Sequence, residues 1–251
     1  MDLKLQNKHV IISGGAKGIG AAIARLFQKE GAVPIILDRD EAAGNRLMEE
    51  MKSGEFMGID LRDEQACERA VASIREKYGS IHVLINNAGV NDVIGLAAPG
   101  EEFMASLQRN LVHYFTLTKL CWEALKQSKG SIVNISSKIA LVGQGKTSGY
   151  VAAKGAILSL TREWAVEGLD HGIRVNAVLP AEVWTEMYDE WLNKFDNPTE
   201  LKAHMESKVP LGKRMTTPEE IAKTVPYLAS HMSSHTTGEF LHPDGGYVHV
   251  R

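Results

Sequence analysis

Only two cysteines occur in 251 residues, too few for a disulfide framework. Cys67 shares a helical stripe with Ala70, Val71 and Ile74, and Cys121 follows Leu117 and Leu120. Both are expected to be buried free thiols. The formal net charge of −3 offers no basic patch, so nucleic acid is not an expected partner. No apolar run approaches the ~20 residues of a membrane span, and no secretory apolar segment precedes the first strand. Membrane insertion is therefore not expected and a cytoplasmic location is. The nine histidines form no convincing metal constellation. His231 and His235 have i,i+4 spacing, but the serines, threonines and glycine around them read as a helix end, and no metal is expected.

Short apolar runs alternate with longer amphipathic stretches along the whole chain. Strands are predicted at His9–Ile12, Val33–Leu37, Glu55–Ile59, Val83–Ile85, Ser131–Ile135, Ile173–Val178 and Glu239–Leu241. Helices are predicted near 18–30, 41–52, 63–78, 101–127, 149–170 and 218–230. Right-handed crossovers between parallel neighbours close such a series into an α/β fold, a doubly wound parallel seven-stranded sheet with helices on both faces. No repeat or linker divides it, so residues 1–251 are expected to form one domain, with a substrate lid inserted at about 181–210. Ligands bind such sheets at the carboxyl ends of the strands.

Chemistry-bearing residues fall at those ends. The run Ser13-Gly-Gly-Ala-Lys-Gly-Ile-Gly20 joins the first strand to a helix, where glycines permit close backbone approach and free N–H groups favour a pyrophosphate. The second strand ends at Asp38, placed to accept hydrogen bonds from an adenosine ribose and to repel a 2′-phosphate, which favours NAD. Arg39 beside it could accommodate that phosphate, so NADP stays open. Asp60-Leu61 closes the third strand near the expected adenine, and Asn86-Asn-Ala-Gly89 closes the fourth. Tyr150 and Lys154 stand one helical turn apart, with Ser137 upstream. An ammonium ~4 Å from a phenolate is worth about 4 kcal/mol at an effective dielectric of ~20. That predicts a tyrosine which exchanges protons near neutral pH.

In order and spacing, the glycine turn, Asn-Asn-Ala-Gly, Ser137, Tyr150 and Lys154 resemble the short-chain dehydrogenase/reductase family, from the first strand to the last. The resemblance implies a Rossmann fold, a nicotinamide cofactor and an active-site tetrad of Asn110, Ser137, Tyr150 and Lys154. It implies cofactor contacts from Gly14, Lys17, Gly18, Ile19, Gly20, Asp38, Asp60, Leu61, Asn87, Ala88, Gly89, Tyr150, Lys154, Pro180, Val183 and Thr185. Ser137 would bond the reacting oxygen, Tyr150 would pass the proton, Lys154 would lower its pKa and bind the nicotinamide ribose, and Asn110 would hold a relay water. Asn110 is a poor helix former inside a long helical stretch, in accord with a local disturbance there. One departure stands out: the family's usual Pro-Gly is Pro180-Ala181 here, followed by Glu182.

Asn91, Gln144 and Glu182 converge on the expected mouth, and Trp184, Met187, Tyr188 and Trp191 form one helical face of the lid. Amides and a carboxylate beside aromatic surface suit a sugar. Several runs, among them Leu179–Tyr188 and the ending Asp244-Gly-Gly-Tyr247, resemble the L-fucose dehydrogenase branch, which oxidises the anomeric hydroxyl of an aldose to a lactone. A 3-oxoacyl carrier-protein, ketosteroid or small-carbonyl reductase is the alternative on the same scaffold. A catalytically silent nicotinamide-binding regulator is the alternative of another class. A homotetramer is implied by the resemblance, its surfaces being the long helices and the strand near Phe240.

Overall fold

A computed structural model describes residues 2–250. Its centre is a seven-stranded, wholly parallel sheet in the order β3-β2-β1-β4-β5-β6-β7. The strands are β1 (His9–Ser13), β2 (Val33–Asp38), β3 (Glu55–Gly58), β4 (Val83–Asn86), β5 (Ser131–Ile135), β6 (Arg174–Val178) and β7 (Phe240–Leu241). Alternate residues of one strand serve opposite cores, because successive side chains leave a strand on opposite faces. Val10 and Ile12 join one apolar cluster, while Ile11 between them joins the other. Both faces of the sheet are covered, as all-parallel sheets require.

Helices α1 (Gly18–Lys29), α2 (Glu41–Glu50) and α9 (Pro218–Ala229) cover the first face; α3 (Glu64–Tyr78), α5 (His113–Ser128) and α6 (Ser148–Gly168) cover the second. Local chemistry sets their ends. Asp40 and Asp63 accept from Ala43 N and Ala66 N at the starts of α2 and α3, and Thr217 and Glu220 close a reciprocal box at the start of α9. Each offers an acceptor to otherwise orphaned helix N–H groups.

The elements fall where the sequence places them, with two refinements. The stretch predicted as one helix over 101–127 is α4 (Gly100–Leu107), a π-helical turn at Gln108–Val112, and then α5. The insertion after β6 contains two short helices, α7 (Glu186–Leu192) and α8 (Pro198–Ser207). One sheet runs through the whole chain and makes it a single domain. Its order reverses between β1 and β4, and that switch point opens a crevice at their carboxyl ends. Among the described residues no helix is long and apolar enough to cross a membrane, and no cluster of three or more metal-ligating side chains occurs.

Candidate active site

The first wall of the crevice is the turn between β1 and α1. Gly14 and Gly18 have φ of +64° and +53°, the left-handed region that glycine enters without strain. A Cβ on Gly14 would stand 2.7 Å from Ala88 Cα, and one on Gly20 would strike the Gly14 carbonyl. The turn is stitched to the end of β4. Ser13 Oγ accepts from Asn87 N at 2.9 Å and from Ala88 N at 3.2 Å, while Asn87 Nδ2 donates to the carbonyls of Ser13 and Gly14 at 3.1 and 2.8 Å. No side chain caps the first turn of α1, so its N–H groups and positive dipole end remain available to a diphosphate. These residues fit a dinucleotide: Gly14 to Gly20 would hold the phosphates, and Ile19 packs its side chain into the core below.

Asp38 is oriented by two backbone donors, Ala16 N to one carboxylate oxygen and Asp40 N to the other, each at 3.1 Å. That fixes the carboxylate beside the glycine turn, where a ribose would lie. Arg39 is exposed. Lys17 pairs with Asp40 at 2.7 Å, and this hydrogen bond raises the lysine's pKa. Asp60 is fastened to Arg62 at 2.5 Å, and the guanidinium holds its carboxyl down at about 2. The neighbouring Leu61 carbonyl accepts the Cys67 thiol at 3.7 Å. Cys67 and Cys121 are buried free thiols as expected, pushed up to about 11 and about 12 chiefly by burial.

The four tetrad positions meet where β4, β5, the π-helical turn and α6 converge. Asn110 is wholly buried in that turn; its Oδ1 accepts from Val90 N at 2.7 Å and its Nδ2 donates to the Ser106 carbonyl at 3.1 Å. Asp92 clamps the same corner, accepting from Ser106 Oγ at 2.9 Å and from Arg109 at 2.6 Å. Gly89 lets the chain pass closely: a Cβ there would lie 3.3 Å from Lys154 Nζ and 3.2 Å from Asn110 Oδ1. Ser136 Oγ donates to the Lys154 carbonyl at 2.8 Å, tying the end of β5 to α6.

Lys154 departs from expectation in its partners. Its ammonium donates to Tyr114 Oη at 3.0 Å and to the Ile135 carbonyl at 2.8 Å, and lies 5.6 Å from the centroid of the Tyr150 ring. The expected depression of the Tyr150 pKa by Lys154 is accordingly not found. Enclosure by protein pushes the phenol up to about 12, Ser137 pulling it down by a hydrogen bond and Asp92 opposing. Desolvation instead acts on the lysine, bringing it from 10.5 down to about 7. Desolvation disfavours the charged form of each group, and the ammonium's hydrogen bonds go to Tyr114 and Ile135 and not to the Tyr150 phenol.

The second wall carries Pro180, Val183 and Thr185. The Pro180 carbonyl accepts from Lys138 N at 2.8 Å; buried Val183 bridges to Thr216; Thr185 caps α7 and faces Gly18, 3.5 Å from where a Cβ there would stand. Thus the loop after β6 and the glycine turn, far apart in sequence, line the same crevice. Asn91 and Gln144 lie exposed on loops. Trp184 is not on the lid helix, as its spacing implied, but precedes it, its N–H bonded to the Thr216 carbonyl at 2.9 Å. Met187 on that predicted face is exposed. Tyr188, Trp191 and Phe195 stack edge to face with centroids 5.5 and 4.9 Å apart. Glu182, expected at the mouth, is instead buried with both oxygens engaged, one by Lys138 and the other by Tyr188 Oη at 2.8 Å. Tyr114, Asp92 and Lys138 escaped the sequence reading. Lys138 alone left a signal, a charged residue directly after Ser137 in otherwise apolar surroundings.

Comparison with known proteins agrees with this geometry. A family profile described as enoyl-(acyl carrier protein) reductase matches residues 14–248. An L-fucose dehydrogenase of Mus musculus is 34% identical over 95% of this chain and 88% of its own length. A 3-oxoacyl-[acyl-carrier-protein] reductase of Thermotoga maritima is also 34% identical, over 98% of this chain and all of its own. Among solved structures, the Cj0485 dehydrogenase superposes with a TM-score of 0.96 at 44% identity, covering 100% of this chain and 98% of that one. The ligand-free aldohexose dehydrogenase of Thermoplasma acidophilum superposes at 0.90 with 30% identity, over 98% and 96% of the two chains. With its parallel sheet, glycine turn and Ser137, Tyr150 and Lys154 at the crevice, this chain belongs to the short-chain dehydrogenase/reductase family and is an oxidoreductase of the nicotinamide-dependent kind.

Proposed function

We propose that this enzyme oxidises the anomeric hydroxyl of an aldose such as L-fucose to the lactone, with NAD preferred over NADP. One observation supports the sugar reading: the lid segment carries an aromatic row of Trp184, Tyr188 and Trp191, and the amides of Asn91 and Gln144 stand exposed on loops. A pyranose has hydroxyl edges and apolar faces, and an aromatic ring suits the latter. The similarity to an L-fucose dehydrogenase and to an aldohexose dehydrogenase supports the same class. Asp38, held by two backbone donors, supports NAD, since a 2′-phosphate would meet its charge.

Hydride transfer is the chemistry that the nicotinamide supplies when bound. In this account Ser137 holds the reacting oxygen, Tyr150 takes the hydroxyl proton, Lys154 binds the nicotinamide ribose and faces the relay, and Asn110 fixes its far end. With Tyr150 near 12 the basic form is scarce at neutral pH, so oxidation gains with rising pH. The exposed apolar residues Met104 on α4, Phe115 on α5 and Val166 on α6 support assembly into a homotetramer, and the whole reading suits a cytoplasmic enzyme. Initial rates on aldoses, polyols, ketones and a 3-oxoacyl thioester, with both nucleotides in both redox states, test it. The expected outcome is fastest turnover of an aldose with NAD. Fastest reduction of the thioester would instead support the carrier-protein reading that the Thermotoga relative represents.

A further inference from the structure

Outside the tetrad the described residues include a buried charged cluster to which the proposed reaction gives no task. Lys138 follows the catalytic serine in the chain, Glu182 sits in the loop after β6, and Tyr188 is on the lid helix α7. Lys138 and Glu182 form an ion pair with side-chain exposures of only 6% and 9%. The other carboxylate oxygen accepts from Tyr188 Oη at 2.8 Å, and that hydroxyl lies 3.1 Å from Met205 Sδ on α8. The Lys138 ammonium also stands 3.8 Å from the centroid of the Tyr247 ring, in the C-terminal segment. Its own backbone N–H is bonded to Pro180, two residues before Glu182. Four segments thus meet at one ion pair: the catalytic serine loop, the nicotinamide-side loop and the lid at the carboxylate, and the C-terminal tail at the ammonium.

We infer that Glu182 is a positioning residue that fastens the lid to the catalytic strand, acting through Lys138 and Tyr188 and not by contact with the sugar. A buried ion pair contributes little net stability compared with an apolar pair of the same shape. What it provides is a single geometry, because a buried charge tolerates no arrangement that leaves it unpaired. The lid is otherwise held by softer contacts. Among them are its aromatic row and Lys202 Nζ 4.0 Å from the Trp184 ring centroid. Of the bonds to Glu182, only that from Tyr188 comes from the lid, so the closed arrangement depends on its hydroxyl.

The inference rests on the sugar reading only for the choice of one substrate, and the test separates the two. Tyr188→Phe removes the hydroxyl and keeps the ring. At saturating nucleotide the variant is expected to raise KM by about three- to tenfold, by the fraction of molecules no longer closed. The factor should be the same for an aldose and for a small secondary alcohol without further hydroxyls. The value of kcat should stay within about twofold, because bound substrate restores closure. Amide hydrogen exchange over 186–207, measured without substrate, should quicken while β1 and β5 stay protected. A KM increase confined to the aldose, with unchanged exchange, would overturn the inference and make the cluster a sugar-contact site. A fall in kcat with unchanged KM would also overturn it. A second variant, Lys138→Met with Glu182→Gln, removes both charges and keeps an acceptor for Tyr188. It should likewise quicken exchange over 186–207, because no ion pair fixes that acceptor any longer, and exchange there as slow as the parent's would overturn the role given to Lys138. Failure of the enzyme to turn over any aldose would end the sugar reading while leaving the exchange result intact.

Discussion

Lys154 carries a thermodynamic signature that is measurable without substrate. Burial brings its ammonium from 10.5 down to about 7. Between those values the unfolded chain binds a proton that the folded chain does not, so stability rises with pH across this window. At ~1.4 kcal/mol per tenfold change in proton affinity, the gain from pH 7 to 9 is roughly 2 kcal/mol. Other perturbed groups contribute mostly outside that interval. His82 and His113 are lowered to about 4, so their contribution grows as pH rises from about 4 and is complete near their ordinary value of 6.5. Cys67 and Cys121, raised from 9.0 to about 11 and about 12, begin to withdraw stability as pH approaches 9, and they do so equally in the parent and in a variant at Lys154. Lys154→Met keeps the length of the side chain and removes the charge, at the cost of the bonds to Tyr114 and Ile135. Urea denaturation of the nucleotide-free protein at pH 7, 8 and 9 should show the parent gaining about 2 kcal/mol relative to the variant. Parallel curves for the two proteins would refute the assignment of that titration to Lys154.

Tyr150→Phe should lower turnover by about 10²–10⁴-fold while nucleotide affinity, followed by fluorescence titration, is largely retained; turnover within about threefold of the parent would remove Tyr150 from the reaction. Asp38→Ala should relax the preference for NAD over NADP by on the order of 1–3 kcal/mol, one charge-assisted bond, as read from kcat/KM for the two nucleotides. A parent that already favours NADP would mean that Arg39 decides the cofactor. Sedimentation at micromolar concentration should give a tetramer, and a monomer would show that Phe115 and its exposed neighbours are not an interface.

The fold was legible because a sheet buried on both faces writes itself as short apolar runs, as in Val10-Ile11-Ile12, separated by amphipathic helices. The glycine turn was legible for a related reason: Gly14 and Gly20 stand where the turn itself and Asn87-Ala88 after β4 leave no space for a Cβ. Proton affinities were not. An i,i+4 spacing gives proximity along a helix but not where the ammonium turns, and Lys154 turns to Tyr114, which in the sequence is one more aromatic on a buried stripe. The Glu182 cluster was hidden in the same way. Lys138, Glu182 and Tyr188 belong to three separate segments, and only the pairing of β5 with β6 and the folding back of the lid bring them together. Asn110 lay between these cases. Its poor helix propensity signalled a disturbance, and a π-helical turn is what stands there.

The central claim, oxidation of an aldose through the Tyr150 relay, is tested most directly by following L-fucose and NAD together. Product analysis by NMR should show the lactone forming in step with NADH, in the parent and not in Tyr150→Phe, and faster at pH 9 than at pH 7. No lactone from L-fucose or any other aldose, with NADPH-dependent reduction of a 3-oxoacyl thioester by the same preparation, would contradict it.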